Sequence, residues 1–360
     1  MADAPILPAF DAAAFCRQHY RLERAEVVGV LQGGMFAKPL LLRAGEGRFV
    51  LRRHTIRSTS EAFRFQAESI DAAARAGVAC AEVVPATSGA WSVPAGDGSH
   101  VVALHRYVDG EVIDWPRWRE RCEREPGFLE SLGRAVGRLH TALAEARPAG
   151  DPELSVGAPP IRFDRLPEIR RHWERSVLTL LARGERDDEA RAAILGSRAR
   201  IDGHWDWLER QVARCEVASL PRQPVHGDVS AVNIVWAADG QPAFIDWDAA
   251  HVGWRLYDAL GDILNRTPNG RPDQNRFRVD HVARYLAGYE SALRSPLTQP
   301  EREAIPAFCL ARQLEDLRQR VATLPTLPPA NRRLYAELIA MRVDMMDQIA
   351  GAEFPLLQTA

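Results

Sequence analysis

No run of eighteen apolar residues occurs in this sequence, so no helix long enough to span a bilayer is expected. There is no CxxC pair and no Cys next to a His cluster, which disfavours a zinc site and a disulfide framework. The five cysteines, Cys16, Cys80, Cys122, Cys215 and Cys309, are odd in number and scattered. There is no excess of either charge: 46 Lys and Arg stand against 48 Asp and Glu, a net charge of -2. That excludes a global electrostatic footprint for nucleic acid or for an acidic membrane. The opening residues "MADAPILPAFDAAAFCRQHY" lack a basic segment followed by an apolar core, so a signal peptide is not expected. A cytoplasmic location with free thiols follows as the expectation. Repeats and low-complexity tracts are missing as well.

What is present is an ordinary globular composition, with 46% hydrophobic and 26% charged residues in 360. That length suffices for two lobes with a sizeable core. Residues 26–53 read as strands broken by turns: "EVVGVL", then "QGGMFAKP", "LLLRA", a Gly-Glu-Gly turn and "RFVLRR". "EAFRFQAESIDAAARAGV" spaces its apolar residues helically and stops at Gly77. Short strands follow at "AEVVPA" and "HVVALHRYV", and this β-rich part ends near Asp109-Gly110. Beyond it the pattern is helical. Leu132, Val136, Leu139 and Leu143 form one stripe, residues 148–160 are a Pro/Gly-rich break, and 164–216 hold two or three amphipathic helices. More helices are expected at about 279–294, 299–323 and 329–350.

The chemistry concentrates in "QPVHGDVSAVNIVWAADGQPAFIDWDAA", residues 223–250. "NIVW" and "AFID" are apolar runs joined by "AADGQP", and Asp239-Gly240 is a strong turn signal, so an antiparallel hairpin is expected. With Trp236 opposite Ala243, Asn233 falls opposite Asp246, where cross-strand Cβ atoms are roughly 5 Å apart. An amide oxygen and a carboxylate at that separation suit one hard cation, and Mg²⁺ takes such ligands together with phosphates and water. Asp228 enters the hairpin five residues before Asn233. His226-x-Asp228-x-x-x-x-Asn233 has the spacing of the protein-kinase catalytic loop, where the Asp accepts a hydroxyl proton and the Asn holds metal. The plainer reading is a structural hairpin whose polar residues cap turns while His226 satisfies a buried carbonyl.

With these motifs in hand, the sequence resembles the aminoglycoside-phosphotransferase-like kinases, a family that includes choline kinase, kinase-fold homoserine kinase and methylthioribose kinase. The resemblance rests on "HGD…N" and "IDWD" and covers about residues 25–270; the C-terminal helices match only loosely. It implies an α+β, two-lobe protein-kinase-like fold. The N-terminal lobe would be a small antiparallel sheet with one main helix (1–108), and the mostly helical C-terminal lobe would run over 109–360. It also implies ATP and Mg²⁺ as cofactors, with Asp228 as catalytic base and Asn233 and Asp246 as metal ligands. Asp248, on the same face as Asp246 if the chain is extended, is a candidate second ligand for metal or water.

Upstream, a kinase needs a phosphate cradle, a cation on a strand and a helix acid. Gly33, Gly34 and Met35 offer backbone N–H groups that can approach phosphate closely, although Gly-Gly is equally a plain hairpin turn. The resemblance puts Arg52 where the family has Lys, and strand alternation sets Arg52 apart from Arg53. Arg can also hold phosphate, and bidentately. Glu68 is the candidate helix acid, with Glu61 as competitor and a solvated helix face as the bland reading. The hinge whose backbone reads the adenine is implied near Arg106 and Val108. Asp258 matches a position that anchors the catalytic loop.

The expectation is therefore phosphoryl transfer from ATP to a hydroxyl of a small molecule: an amino alcohol, a sugar or an aminoglycoside-type antibiotic. A nucleotide-binding pseudokinase acting as an interaction module, supported by the Arg at the Lys position, and a protein Ser/Thr kinase are the alternatives.

Overall fold

Alternation in "GRFVLRRH" produces an eight-residue strand, Gly47–His54 (β3), at the centre of a sheet. The computed structural model describes residues 10–31, 39–54, 59–95, 100–150, 162–183, 189–261, 276–324 and 332–354. Gly33, Gly34 and Met35 lie outside them. The sheet order is β1 (Glu26–Val30), β2 (Leu40–Ala44), β3, β6 (Val101–Arg106) and β4 (Val83–Val84), with β5 (Val93–Pro94) also on β6; every pairing is antiparallel. One face carries Leu42, Leu51, Val102 and Leu104, which pack with Ala12, Cys16 and Tyr20 of helix α1 (Ala12–Tyr20). The other face carries Arg52 and His54, and the His54 ring lies 4.4 Å from Phe63 of helix α2 (Ser60–Arg75).

Helix α2 starts where Thr59 accepts the Ala62 N–H in its N-cap position, with Glu61 in the first turn. Phe63, Gln66, Ala67, Ile70 and Ala73 recur at three- and four-residue intervals and are buried. The chain turns off at Gly77, whose N–H reaches Ala74 O, as the sequence suggested.

Two compact units make up the chain. The first comprises Met1–Ile113, Arg138–Val156 and Gln223–Gly253, the second Asp114–Gly137, Gly157–Arg222 and Trp254–Ala360. They are discontinuous in sequence and so differ from the continuous ranges 1–108 and 109–360. The physical reason lies in hydrogen bonds of high sequence separation. Phe244 N–H donates to Ala79 O, Ala81 N–H donates to Phe244 O, and strand β7 (Glu111–Val112) pairs with β9 (Ile234–Trp236). The 223–253 segment thus belongs with the sheet. In it β9 pairs with β10 (Pro242–Phe244), and β8 (Gln223–Val225) pairs with β11 (His251–Gly253).

The second unit is helical, with helices at Trp115–Arg124, Leu166–Arg183, Glu189–Arg214, Arg255–Ala259, Val279–Ser291, Gln299–Glu303, Ile305–Thr323 and Arg332–Ala350; Phe128–Ala144 begins in it. The helix expected over 299–323 is interrupted at Ala304. Pro306 in the first turn of the next helix lacks the N–H that a continuous helix needs. Trp205, Tyr285, Tyr289 and Phe308 are fully buried in this unit. Asp258 is buried too, in Arg255–Ala259. The architecture is mixed, a small antiparallel sheet followed by mostly helix, as the α+β expectation requires.

Candidate active site

The loop leaving β8 is built around His226. Its Nδ1 accepts the Asp228 N–H at 3.3 Å, so the ring proton sits on Nε2 and is donated to Ile245 O at 3.0 Å. The ring packs 4.7 Å from the Trp247 ring. Gly227 has φ +86°, and a Cβ there would lie 2.0 Å from Ala249 O, so the middle residue of His-Gly-Asp must be glycine. This sharp turn lifts Asp228 out at the loop's edge, half-buried. Asn233 is buried, and its Nδ2 donates to Asp228 Oδ2 at 2.7 Å and to Asp228 O at 3.0 Å. Both amide hydrogens are spent on Asp228, and the acceptor Asn233 offers is its Oδ1.

The hairpin forms, but one residue out of the expected register. Trp236 pairs with Pro242, not Ala243, and Ile234 with Phe244. Asn233 consequently faces Ile245, whose N–H donates to Asn233 O at 2.9 Å, and Asp246 comes one residue later. The cause is the turn. Ala237 N–H donates to Gln241 O, which closes a three-residue loop with Gly240 in the left-handed region at φ +78°, whereas the expected register centres the turn between Asp239 and Gly240. Asp246 itself has φ +59°, an uncommon conformation for a residue with a side chain. At that point the chain breaks from the strand into the Trp247–Ala249 turn.

Asp246 and Asp248 both meet Arg52. Arg52 Nη2 donates to Asp246 Oδ1 at 2.7 Å and to Asp248 Oδ2 at 2.9 Å. The other oxygen of Asp248, Oδ1, accepts from Gln66 Nε2 at 3.2 Å and from His54 Nδ1 at 3.1 Å. Burial opposes the Arg52 charge, but Asp248 and Asp246 outweigh it and the guanidinium pKa is raised. For Asp248 burial favours the neutral acid. Arg52 and the hydrogen bonds from His54 and Gln66 override it and hold the carboxyl well below the usual range.

Behind Asp248 the histidines continue the chain of contacts. His54 Nε2 lies 3.2 Å from His105 Nε2, and His105 Nδ1 lies 3.3 Å from Ala81 O. Burial lowers the His54 pKa, and burial together with His54 and Arg52 pushes His105 down to about 3. Two neutral rings have two N–H groups for three contacts. His54 gives its proton to the Asp248 carboxylate, and the single ring proton of His105 serves either His54 Nε2 or Ala81 O, not both.

The expected helix acid is corrected by this arrangement. Glu68 accepts from Arg64 Nε at 2.7 Å and from the Ala149 N–H at 2.7 Å, while Glu61 sits exposed at the helix start. The α2 residue that reaches the Arg52 cluster is Gln66. Two residues along a helix is a turn of about 200°, so Glu68 and Gln66 point to opposite sides. The signal was available, because Gln66 is a polar residue inside the Phe63–Ala67–Ile70 stripe and His54 shares the strand face of Arg52. Arg106 ends β6 with its side chain exposed and its N–H donated to Glu82 O at 2.8 Å. Val108 follows half-buried, its backbone making no hydrogen bond among the described residues.

The site fits a magnesium–nucleotide pair in its chemistry. Asn233 Oδ1 and the Asp246 carboxylate are hard oxygens of the type Mg²⁺ prefers, and Arg52 is a cation of the type that holds phosphate.

Comparison with known proteins bears on the fold and the family. The chain is 27% identical over 221 residues to a homoserine kinase from Hyphomonas neptunium, an alignment covering 58% of this chain and 60% of that relative. The match thus spans less than two thirds of the relative's length. A crystal structure of an aminoglycoside phosphotransferase from Alicyclobacillus acidocaldarius superposes with a TM-score of 0.66 at 16% identity, covering 97% of this chain and 96% of the other. A microcompartment-associated aminopropanol kinase superposes with a TM-score of 0.65 at 19% identity, covering 93% and 96%. These structures share the kinase-like fold of the small-molecule phosphotransferases. The sequence pattern of the phosphotransferase enzyme family matches residues 37–295, most of the length, and the chain belongs to that family.

Proposed function

We propose that the protein transfers the γ-phosphoryl group of ATP, with magnesium, to the hydroxyl of a small amino alcohol. The observation that carries the reading is the double hydrogen bond from Asn233 Nδ2 to Asp228. It ties the proton-accepting carboxylate to the amide whose oxygen would hold the metal, so base and metal ligand are set by one contact. Asn233 Oδ1 and the Asp246 carboxylate would hold magnesium, which would supply neutralisation of the charge that develops on the nucleotide phosphates.

The chain's own residues divide the remaining work. Asp228 orients the acceptor hydroxyl and takes its proton, a role worth about 10²–10⁴-fold in general-base systems. Asn233 Oδ1 and Asp246 are the metal ligands. Arg52 gives its guanidinium to the phosphates, where a planar donor fork suits tetrahedral oxygens. Gly33, Gly34 and Met35 are assigned to the phosphate cradle and the backbone near Arg106 and Val108 to the adenine edge. Most of the remaining rate enhancement is positioning and charge neutralisation.

The acceptor class is supported by the names of two relatives, a homoserine kinase and an aminopropanol kinase, whose acceptors carry an amine near the hydroxyl. The test is a phosphate-transfer assay with ATP and magnesium against amino alcohols, sugars, aminoglycosides and a Ser/Thr peptide mixture. The expected result is phosphorylated amino alcohol with kcat/KM at least tenfold above any other class. Preference for an aminoglycoside or a sugar would overturn the acceptor assignment. ATP binding with transfer to nothing would leave a nucleotide-binding interaction module.

A further inference from the structure

The Arg52 cluster holds one more carboxylate than a single cation needs, and the two carboxylates are held unequally. Asp248 has both oxygens engaged: Oδ2 by Arg52, Oδ1 by His54 and Gln66. Its side chain is 16% exposed, against 35% for Asp246, which meets the cluster through Oδ1 alone. With His54 and His105 neutral, the local charge is one cation against two anions.

Helix α2 contributes no anion here. A kinase cation on a strand is normally fixed by a helix acid, and in this chain that place is taken by the neutral Gln66. Gln66 donates its amide N–H to Asp248 and leaves its own Oε1 buried with no hydrogen-bond partner among the described residues. A buried, unpaired acceptor is costly. Its orientation is set by the need to present a donor to Asp248.

We infer that Asp248 is the positioning residue of Arg52, standing in from the turn after β10 for the missing helix acid, and that it is not a metal ligand. Fixed by His54 and Gln66, Asp248 holds the guanidinium in place for the nucleotide phosphates. Asp246, held through one oxygen only, is the carboxylate that turns from Arg52 to the metal. This replaces the expectation that Asp248 joins Asp246 on magnesium, and it rests on the nucleotide reading proposed above.

The test is calorimetric titration of ATP in EDTA, and then ATP titration across a magnesium series, on the full chain. In EDTA, Arg52→Gln and Asp248→Asn are each expected to weaken ATP binding about tenfold. The double variant is expected to be no weaker than Arg52→Gln alone, because Asp248 acts through Arg52. The magnesium needed for half-maximal enhancement of ATP binding should stay within about twofold in Asp248→Asn and rise about tenfold or more in Asp246→Asn. Placing the carboxylate on the helix, with Gln66→Glu added to Asp248→Asn, should return ATP binding to within about threefold of wild type. That exchange keeps one acid and one amide in the cluster, and it takes the place of Asp248→Asn if the single variant does not fold.

Three results would overturn the inference: losses that multiply in the double variant, a magnesium requirement in Asp248→Asn raised as far as in Asp246→Asn, or no recovery in the exchange. Wild-type protein that binds no ATP would instead overturn the nucleotide reading itself, and this is seen before any variant is measured.

Discussion

Asn233 gives both of its amide hydrogens to Asp228, one to the carboxylate and one to the carbonyl of the same residue, at 2.7 and 3.0 Å. Four loop residues, 229–232, separate the pair, and the contact closes that loop on itself.

The contact makes the charge state of residue 233 decisive. Asn233→Ala deletes two hydrogen bonds and should lower unfolding free energy by about 1–3 kcal/mol. Asn233→Asp should cost more at pH 7, because a carboxylate replaces a donor facing a carboxylate. Its deficit should shrink as the pH falls toward 4 and the pair takes up a proton. Urea denaturation of both variants at pH 7 and pH 4.5 measures this; equal deficits at both pH values would contradict the assigned amide orientation.

Glycine at 227 is fixed by space as well as by φ. Gly227→Ala drives a Cβ against Ala249 O and should cost more than about 2 kcal/mol. Gly89 has a similar φ of +81° but open space around it, and Gly89→Ala should cost about 1 kcal/mol. Comparing the two by chemical denaturation separates the steric part from the conformational part.

His105 predicts an acid limb in the stability profile. Its folded pKa, about 3, lies below its ordinary 6.5, so on acidification the unfolded chain takes the proton first. The stabilisation is complete above pH 6.5 and is lost as the pH falls toward 3, at up to about 1.4 kcal/mol per pH unit. His105→Asn should therefore show a shallower limb than wild type between pH 6.5 and 4 in denaturant titrations. Parallel limbs would mean the ring is charged in the native state.

The parts of this site that were legible in the sequence share a cause: their signals are local. His226, Asp228 and Asn233 sit at fixed spacing, Asp239-Gly240 marks the hairpin turn, and β3 alternation puts Arg52 on the face opposite Leu51. The parts that were not legible depend on distant partners or on one turn residue. The register slipped because Gly240 closes a three-residue loop, and a single residue of loop length moves every cross-strand pair. Glu68 carries the charge that a helix acid needs, whereas the helix face is decided by packing, and packing turns Gln66 inward. The grouping of 223–253 with the sheet follows from bonds to residues 79–81, a separation that no local pattern reports.

The central claim, that Asp228 is the base of a phosphoryl transfer, is tested most directly by Asp228→Asn on a verified amino-alcohol acceptor. The amide is nearly isosteric, still bonds Asn233 and cannot accept the proton. Turnover should fall by about two to four powers of ten while ATP affinity stays within about threefold of wild type. Full turnover in Asp228→Asn, or a loss of ATP binding as large as the loss of rate, would contradict the account.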